Sequence, residues 1–235
     1  ENLTKTISGC ARTKVTRDKA LELNLVDSIH EDPAEAVIGS DIVFLCTHLG
    51  SYAAILKKIA PSLKEGMIVT DVGSVKRAVI NDVMQYLPVG VHFVPGHPVA
   101  GTEHSGPESG FADLFEGRHC ILTPESACNK VAIESVKEFW QRAGMEVEIM
   151  DADHHDRVLA VTSHLPHLIA YTIVATVGDL EEQLNRETDD NNSLVRTKEV
   201  IRYSAGGFRD FTRIASSDPE MWRDVFLYNR EAILE

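Results

Sequence analysis

The chain has 235 residues, 43% of them hydrophobic and 25% charged, with a formal net charge of −13. These proportions describe an ordinary globular protein with room for one large or two small domains. The acidic balance argues against a nucleic-acid or anionic-membrane partner, so an anionic substrate has to be met by a local cluster of Arg or Lys.

In chain order, Thr6–Arg12 is strand-like and breaks at Thr13, and Val15–Leu23 predicts a helix. Pro33–Ile38 is a short helix closed by Gly39. The run from Asp41 to Thr47 is almost continuously apolar, as in a strand buried on both faces of a parallel sheet. Tyr52–Ala60 is helical and ends before Pro61; Met67–Val72 is the next strand. Val75–Leu87 is an amphipathic helix with Val75, Val79, Val83 and Leu87 on one face, and Ser74 is a candidate N-cap. Val91–Val94 and Cys120–Thr123 read as strands. Val131–Ala143 is a helix, with Val136, Phe139, Trp140 and Ala143 inward, that stops at Gly144. Glu146–Met150 is the last strand. Strands alternating with helices predict an α/β fold with a doubly wound parallel sheet.

Beyond Met150 the pattern is helical only, which predicts two units, 1–150 and 151–235. Val158–Val177 has no charged residue and is about as long as a bilayer span. It contains Ser163, His164, Pro166 and His167, so it reads as a buried helix of a soluble protein with no membrane partner. Glu181–Lys198 reads as an exposed loop. Asp218-Pro219-Glu220 has the N-cap, first-position proline and first-turn acid of a helix start, with no stop signal before Glu235. Cys10, Cys46, Cys120 and Cys128 form no Cys-x-x-Cys pair and read as reduced thiols of a cytoplasmic protein.

Three constellations can carry chemistry. Asp71-Val-Gly73-Ser74-Val-Lys76 is a strand end, a turn and a helix start, where backbone N–H groups attract anions and polar cofactor groups. The stretch from Phe93 to Gly110 holds four glycines and three prolines with no helical or strand period, and reads as an irregular segment outside the core. His97 follows a predicted strand, so its imidazole belongs at the carboxyl edge of the sheet as a general base or hydrogen-bond acceptor; Glu103 and His104 stand close by. In the helical half, His164 and His167 are three apart on one face. No Cys or acid has matching spacing, so metal binding is not expected. Arg209 and Arg213 beside Gly206 and Gly207 suit carboxylate recognition, Arg213 better because Asp210 adjoins Arg209.

Together with Asp218-Pro-Glu-Met-Trp222, these motifs resemble the prephenate/arogenate (cyclohexadienyl) dehydrogenase family of tyrosine biosynthesis, in the family's order and over most of the chain. The resemblance implies a Rossmann-like nucleotide-binding domain over 1–150 and an all-α substrate and dimerisation domain over 151–235. It implies NAD(P)-dependent oxidative decarboxylation of prephenate or arogenate by a homodimer. Carried over residue by residue, it implies His97 and Ser74 as catalytic groups. Arg213, His167, Glu103, Arg209, Gly207 and Trp222 would meet the substrate, although Trp222 suits a core position equally. Arg12, Thr13, Thr47, Gly73 and Ser74 would meet the cofactor. The family's Gly-x-Gly-x-x-Gly turn is not in the sequence, so its first strand and turn are expected to precede it, and further helices to follow Glu235. Ala11-Arg12-Thr13 stands where an NAD enzyme places an acid for the ribose hydroxyls, which favours NADP over NAD. Two alternatives stand beside this reading. One is another two-domain dehydrogenase of the β-hydroxyacid type, which needs a catalytic Lys on the first helix of the helical domain. The other is a catalytically inactive ligand-binding or oligomerisation fragment.

Overall fold

The computed structural model describes residues 3–187 and 205–235. Parallel pairing dominates. Strand β1 (Ser8–Cys10) pairs with β2 (Ser28–His30), and helix α1 (Lys14–Glu22) connects them. Strand β2 is absent from the sequence reading because Ser28-Ile-His is too short to show a period. After the single turn α2 (Pro33–Ala36), strand β3 (Ile42–Leu45) pairs with β4 (Ile68–Asp71), and β4 with β5 (His92–Val94). The crossovers are α3 (Tyr52–Ile59) and α4 (Arg77–Met84). A third ladder contains β6 (Gly96–Pro98), β7 (His119–Leu122) and β8 (Glu146–Ile149), with α5 (Lys130–Arg142) between the last two. The β6–β7 pair is antiparallel, a departure from the all-parallel expectation. Helix α5 ends at Gly144, whose φ of 94° is a conformation that glycine adopts without strain.

The core follows the apolar stripes. Val75, Val79 and Val83 are wholly buried, as their spacing predicts, with Leu56, Ile59 and Val69 against them. Each such side chain contributes roughly 1.5–3 kcal/mol by leaving water. A second cluster gathers Val94, Cys120, Leu122, Val136 and Trp140. Trp222 and Val225 of the helical half join the first cluster, so the two halves share one apolar interior.

The helical half opens with α6 (Ala152–Leu159), capped by Asp151, whose Oδ1 accepts from the N–H groups of Asp153 and His154. A π-helical turn, Ala160–His164, separates it from α7 (Leu165–Glu187). Pro166 explains the turn. It has no N–H to donate and its ring crowds the carbonyl four residues back, which the wider turn relieves. Several side chains here are exposed, among them Val161 at 68%, Ile169 at 42% and Val174 at 43%. The expectation of a buried helix is therefore corrected. Leu159, Ala160, His164 and Ala170 face the core, while an apolar face lies open. Lack of charge in a sequence does not tell burial within a chain from an apolar face left for another surface.

Residues 181–187 belong to α7, which corrects the predicted loop over that part. Leu, Glu, Gln and Arg favour the helix, and no Gly or Pro interrupts it. The rest of that predicted loop lies outside the described residues. Helix α8 (Gly206–Thr212) leads through a 3-10 turn, Arg213–Ser216, to α9 (Pro219–Tyr228). Asp218 caps α9 as predicted, accepting from Glu220 N and Met221 N. The helix does not run on to Glu235 without a break. It stops at Asn229 (φ −108°, ψ 23°), and α10 (Arg230–Leu234) follows.

Candidate active site

The site forms where β4 ends. Asp71 is wholly buried, and its carboxylate gathers four donors: Gly73 N at 2.9 Å, Gly96 N at 3.1 Å, Lys76 Nζ at 2.5 Å and the Tyr52 hydroxyl at 3.5 Å. Lys76 is also wholly buried and donates to the Gly96 carbonyl at 2.6 Å. Burial pulls its pKa down and Asp71 opposes the shift. This pair pins the strand entry of His97. A side chain at Gly96 would sit 3.0 Å from the Asp71 carbonyl oxygen, so glycine is needed there.

His97 itself is not in an irregular loop. It lies on β6, paired with Ile121, and only 7% of it is exposed. The prediction that Phe93–Gly110 avoids the core fails for its first residues, because Phe93–Pro98 are buried. A strand of three residues, one of them Gly and one Pro, has too little pattern to be read. Burial holds the His97 pKa well below the usual imidazole range, helped by His155, Lys76 and His164. The ring is therefore neutral at physiological pH and available as an acceptor.

Behind His97 stands a group that the sequence reading passed over. His97 Nδ1 lies 2.8 Å from His155 Nε2, and His155 Nδ1 lies 2.8 Å from Asp156 Oδ1. Asp156 also accepts from Lys76 N and Arg77 N, at 2.8 and 2.9 Å. It thereby caps α4 across the boundary between the halves. Ser74 does not cap that helix, which has Lys76 at its cap position and starts at Arg77. The correction reaches the expected anion site as well, since those N–H groups are already spent on Asp156. In sequence, His154 and His155 read as a helix start and nothing more. The legible signal was position: His155 shares the inward face of α6 with Ala152 and Leu159.

The other predicted residues spread over the neighbourhood. Ser74 is half-buried in the turn after β4. His164 is wholly buried, its Nδ1 accepting from Asn229 Nδ2 at 2.9 Å, and its pKa falls to about 4, chiefly through burial. His167 donates from Nδ1 to the Ser163 carbonyl and stacks on Trp222, ring centroids 3.6 Å apart. Trp222 is buried in the core. Arg213 reaches across from the helical half to Glu103, Nη1 to Oε1 3.3 Å, and this pair is largely exposed. Glu103 is thus held against Arg213, whereas His104 is exposed beside it. Arg209 is exposed on α8, and Gly206 and Gly207 have open space around them.

The residues assigned to a cofactor lie in the loops leaving β1, β3 and β4. Thr47, exposed after β3, bonds Ser51 through its hydroxyl at 2.7 Å. Gly73 packs against Leu49 and Asp71 so closely that a Cβ would overlap both, so it shapes the turn. Arg12 is exposed after β1, while Thr13 caps α1 by accepting from Thr16 N. Hydroxyls and a guanidinium at strand carboxyl ends suit a dinucleotide, so the donor set fits a nicotinamide cofactor. Among the described residues no cluster of His, Cys, Asp and Glu could hold a metal ion.

A mostly parallel α/β half with a buried neutral histidine at its strand ends, closed by a helical half that supplies an arginine, defines a two-domain nicotinamide-dependent dehydrogenase. Two family models match the chain: the prephenate dehydrogenase nucleotide-binding domain over residues 1–149 and the prephenate dehydrogenase dimerization domain over 151–235. The chain belongs to the prephenate dehydrogenase family and is an oxidoreductase. It is 41% identical to the cyclohexadienyl dehydrogenase of Zymomonas mobilis over 97% of this chain and 74% of that one. It is 35% identical to the Bacillus subtilis prephenate dehydrogenase, spanning 92% of this chain but 55% of that protein. A solved Aquifex aeolicus prephenate dehydrogenase, in complex with hydroxyphenyl propionate and NAD+, superposes with a TM-score of 0.84 at 35% identity, covering 99% of this chain and 77% of that one. The Synechocystis arogenate dehydrogenase follows at 0.72 and 27%, covering 96% and 76%.

Proposed function

We propose that this chain oxidatively decarboxylates prephenate, arogenate or both, with NADP or NAD as acceptor, yielding 4-hydroxyphenylpyruvate or tyrosine. The observation that carries the reading is His97, buried and neutral where β6 leaves the β4–β5 edge, facing a helical half that brings Arg213. A bound nicotinamide supplies the hydride acceptor. His97 accepts a hydrogen bond from the ring hydroxyl as the hydride leaves the same carbon and C=O character develops. Loss of the ring carboxylate as carbon dioxide makes the ring aromatic. The hydroxyl proton returns to the phenol oxygen, so no net proton is lost. Arg213 pairs with a substrate carboxylate in exchange for Glu103. Ser74 orients His97 or the nicotinamide, and His167 with Trp222 walls the pocket. Arg209 and Gly207 border the substrate side chain.

Arg12, with no acid beside it in Ala11-Arg12-Thr13, favours a 2′-phosphate and hence NADP. The open apolar face of α7 suits a homodimer, in line with the dimerization-domain match. Four unpaired cysteines fit a reducing, cytoplasmic setting. A β-hydroxyacid-type enzyme is disfavoured, because α6 carries no lysine.

The test is nicotinamide reduction by the full-length protein with prephenate and with arogenate, each with NAD and NADP, beside His97→Asn. Turnover lost in the variant supports the reading. Absence of turnover from a folded protein leaves a ligand-binding fragment in its place. A clear NAD preference overturns the NADP assignment alone.

A further inference from the structure

We propose that His155 and Asp156 form a positioning dyad that sets the ring tautomer of His97, leaving its Nε2 unprotonated for the substrate hydroxyl. The inference rests on the reading of His97 as the acceptor, but its central claim concerns the protein without substrate.

The argument starts at Asp156. The N–H groups of Lys76 and Arg77 can only donate, and they occupy both carboxylate oxygens. His155 Nδ1, 2.8 Å from Oδ1, must then donate as well. With its single ring proton on Nδ1, His155 offers only a lone pair at Nε2. His97 Nδ1, 2.8 Å away, therefore carries the proton of that contact. One proton on Nδ1 of a neutral imidazole leaves Nε2 as acceptor. The order of protons is fixed link by link from the carboxylate outward.

The dyad is also held rigidly. His155 has no exposed surface and its ring meets His97 edge to face, centroids 5.1 Å apart. The Asp156 carbonyl accepts from Asn229 Nδ2 at 2.8 Å, so α4, α6 and the α9–α10 junction all fix it. The titratable groups around His97 are His155 on α6, Lys76 before α4, His164 on the π-turn, and Asp156 and Asp71 behind the first two. A purely structural dyad would serve as well if it only tied the halves together. It would then leave the His97 tautomer and the chemical step alone.

The experiment uses the full-length protein labelled with 15N-histidine, with His97→Asn as the assignment control. The expected wild-type spectrum shows His97 with its proton on Nδ1. In Asp156→Asn the neutral amide holds the His155 Nδ1 proton less well than the carboxylate, and the Nε2–H form of His97 grows. In turnover, Asp156→Asn and His155→Leu lose kcat by about 100-fold, the scale of an aligned acid–base group, with KM changed less than about threefold. His155→Gln, whose carbonyl can still accept from His97 Nδ1, recovers part of the loss. Should Asp156→Asn fail to fold, the Gln and Leu pair at His155 decides. An Nε2–H tautomer in the wild type, or a His155→Leu enzyme with unchanged kcat, overturns the proposal. If neither prephenate nor arogenate turns over, the functional reading fails while the tautomer spectrum still judges the dyad.

Discussion

Lys76 and Asp71 form an ion pair with neither side chain exposed, Nζ 2.5 Å from Oδ2. A charge without its partner in that place is costly. Lys76→Met is expected to destabilise the fold by about 3–5 kcal/mol, because it leaves Asp71 buried and uncompensated. Adding Asp71→Asn should restore part of the loss. Urea denaturation of the single and double variants checks both, and a single variant within about 1 kcal/mol of wild type removes the pair from any structural role.

His97 and His164 are held neutral by burial, and this makes stability depend on pH in a definite direction. Their folded pKa values lie below the unfolded value, His164 at about 4. Between the two values the unfolded chain binds more protons, so stability rises with pH. It is fully present above about pH 6.5 and is lost as pH falls toward the folded pKa. His164 alone accounts for about 3 kcal/mol at most. Denaturation midpoints measured from pH 7.5 to 4.5 should fall, and His164→Asn should flatten the profile.

Gly50 binds the halves through its backbone. Its N–H donates to Asp224 Oδ2 at 2.9 Å, and a Cβ there would sit 2.7 Å from the same oxygen. Gly50→Ala is expected to push Asp224 aside and lower stability by about 1–3 kcal/mol, the cost of a buried group losing its hydrogen bond. A melting temperature equal to wild type would contradict the crowding.

Glu103 and Arg213 make a different kind of contact. Arg213 is 62% exposed, so the pair is worth at most about 1 kcal/mol. Glu103→Gln should leave the melting temperature unchanged within error. Arg213→Ala should raise KM for a carboxylate substrate by about tenfold or more while kcat falls less, as expected for lost binding shared by ground and transition states. Steady-state kinetics on the two variants separates the roles.

The residues that were legible in the sequence are those whose signal is local. The Val75, Val79, Val83 stripe, the Asp218 cap and the Gly144 stop each act within one or two turns, and each is in place. What escaped reading depends on distant partners. Ser74 looked like a cap because Asp156, 80 residues beyond Lys76, is invisible from that stretch. His97 could be picked out, but not its place on a strand whose partner is β7. His155 is marked as inward by its spacing from Ala152 and Leu159, but its partner His97 is 58 residues away. The exposed face of α7 has the same origin, since an uncharged run does not say what covers it.

Asp156 is encoded in the helical half, yet the helix it caps belongs to the other half. A chimera that joins the first 150 residues of one family member to the remainder of another would cut between donor and acceptor. Because the donors are backbone N–H groups, recombination tolerates such a cut only when the parent that supplies the helical half carries an acid at that point. The seam near residue 150 is thus open to exchange only under that condition on the second part.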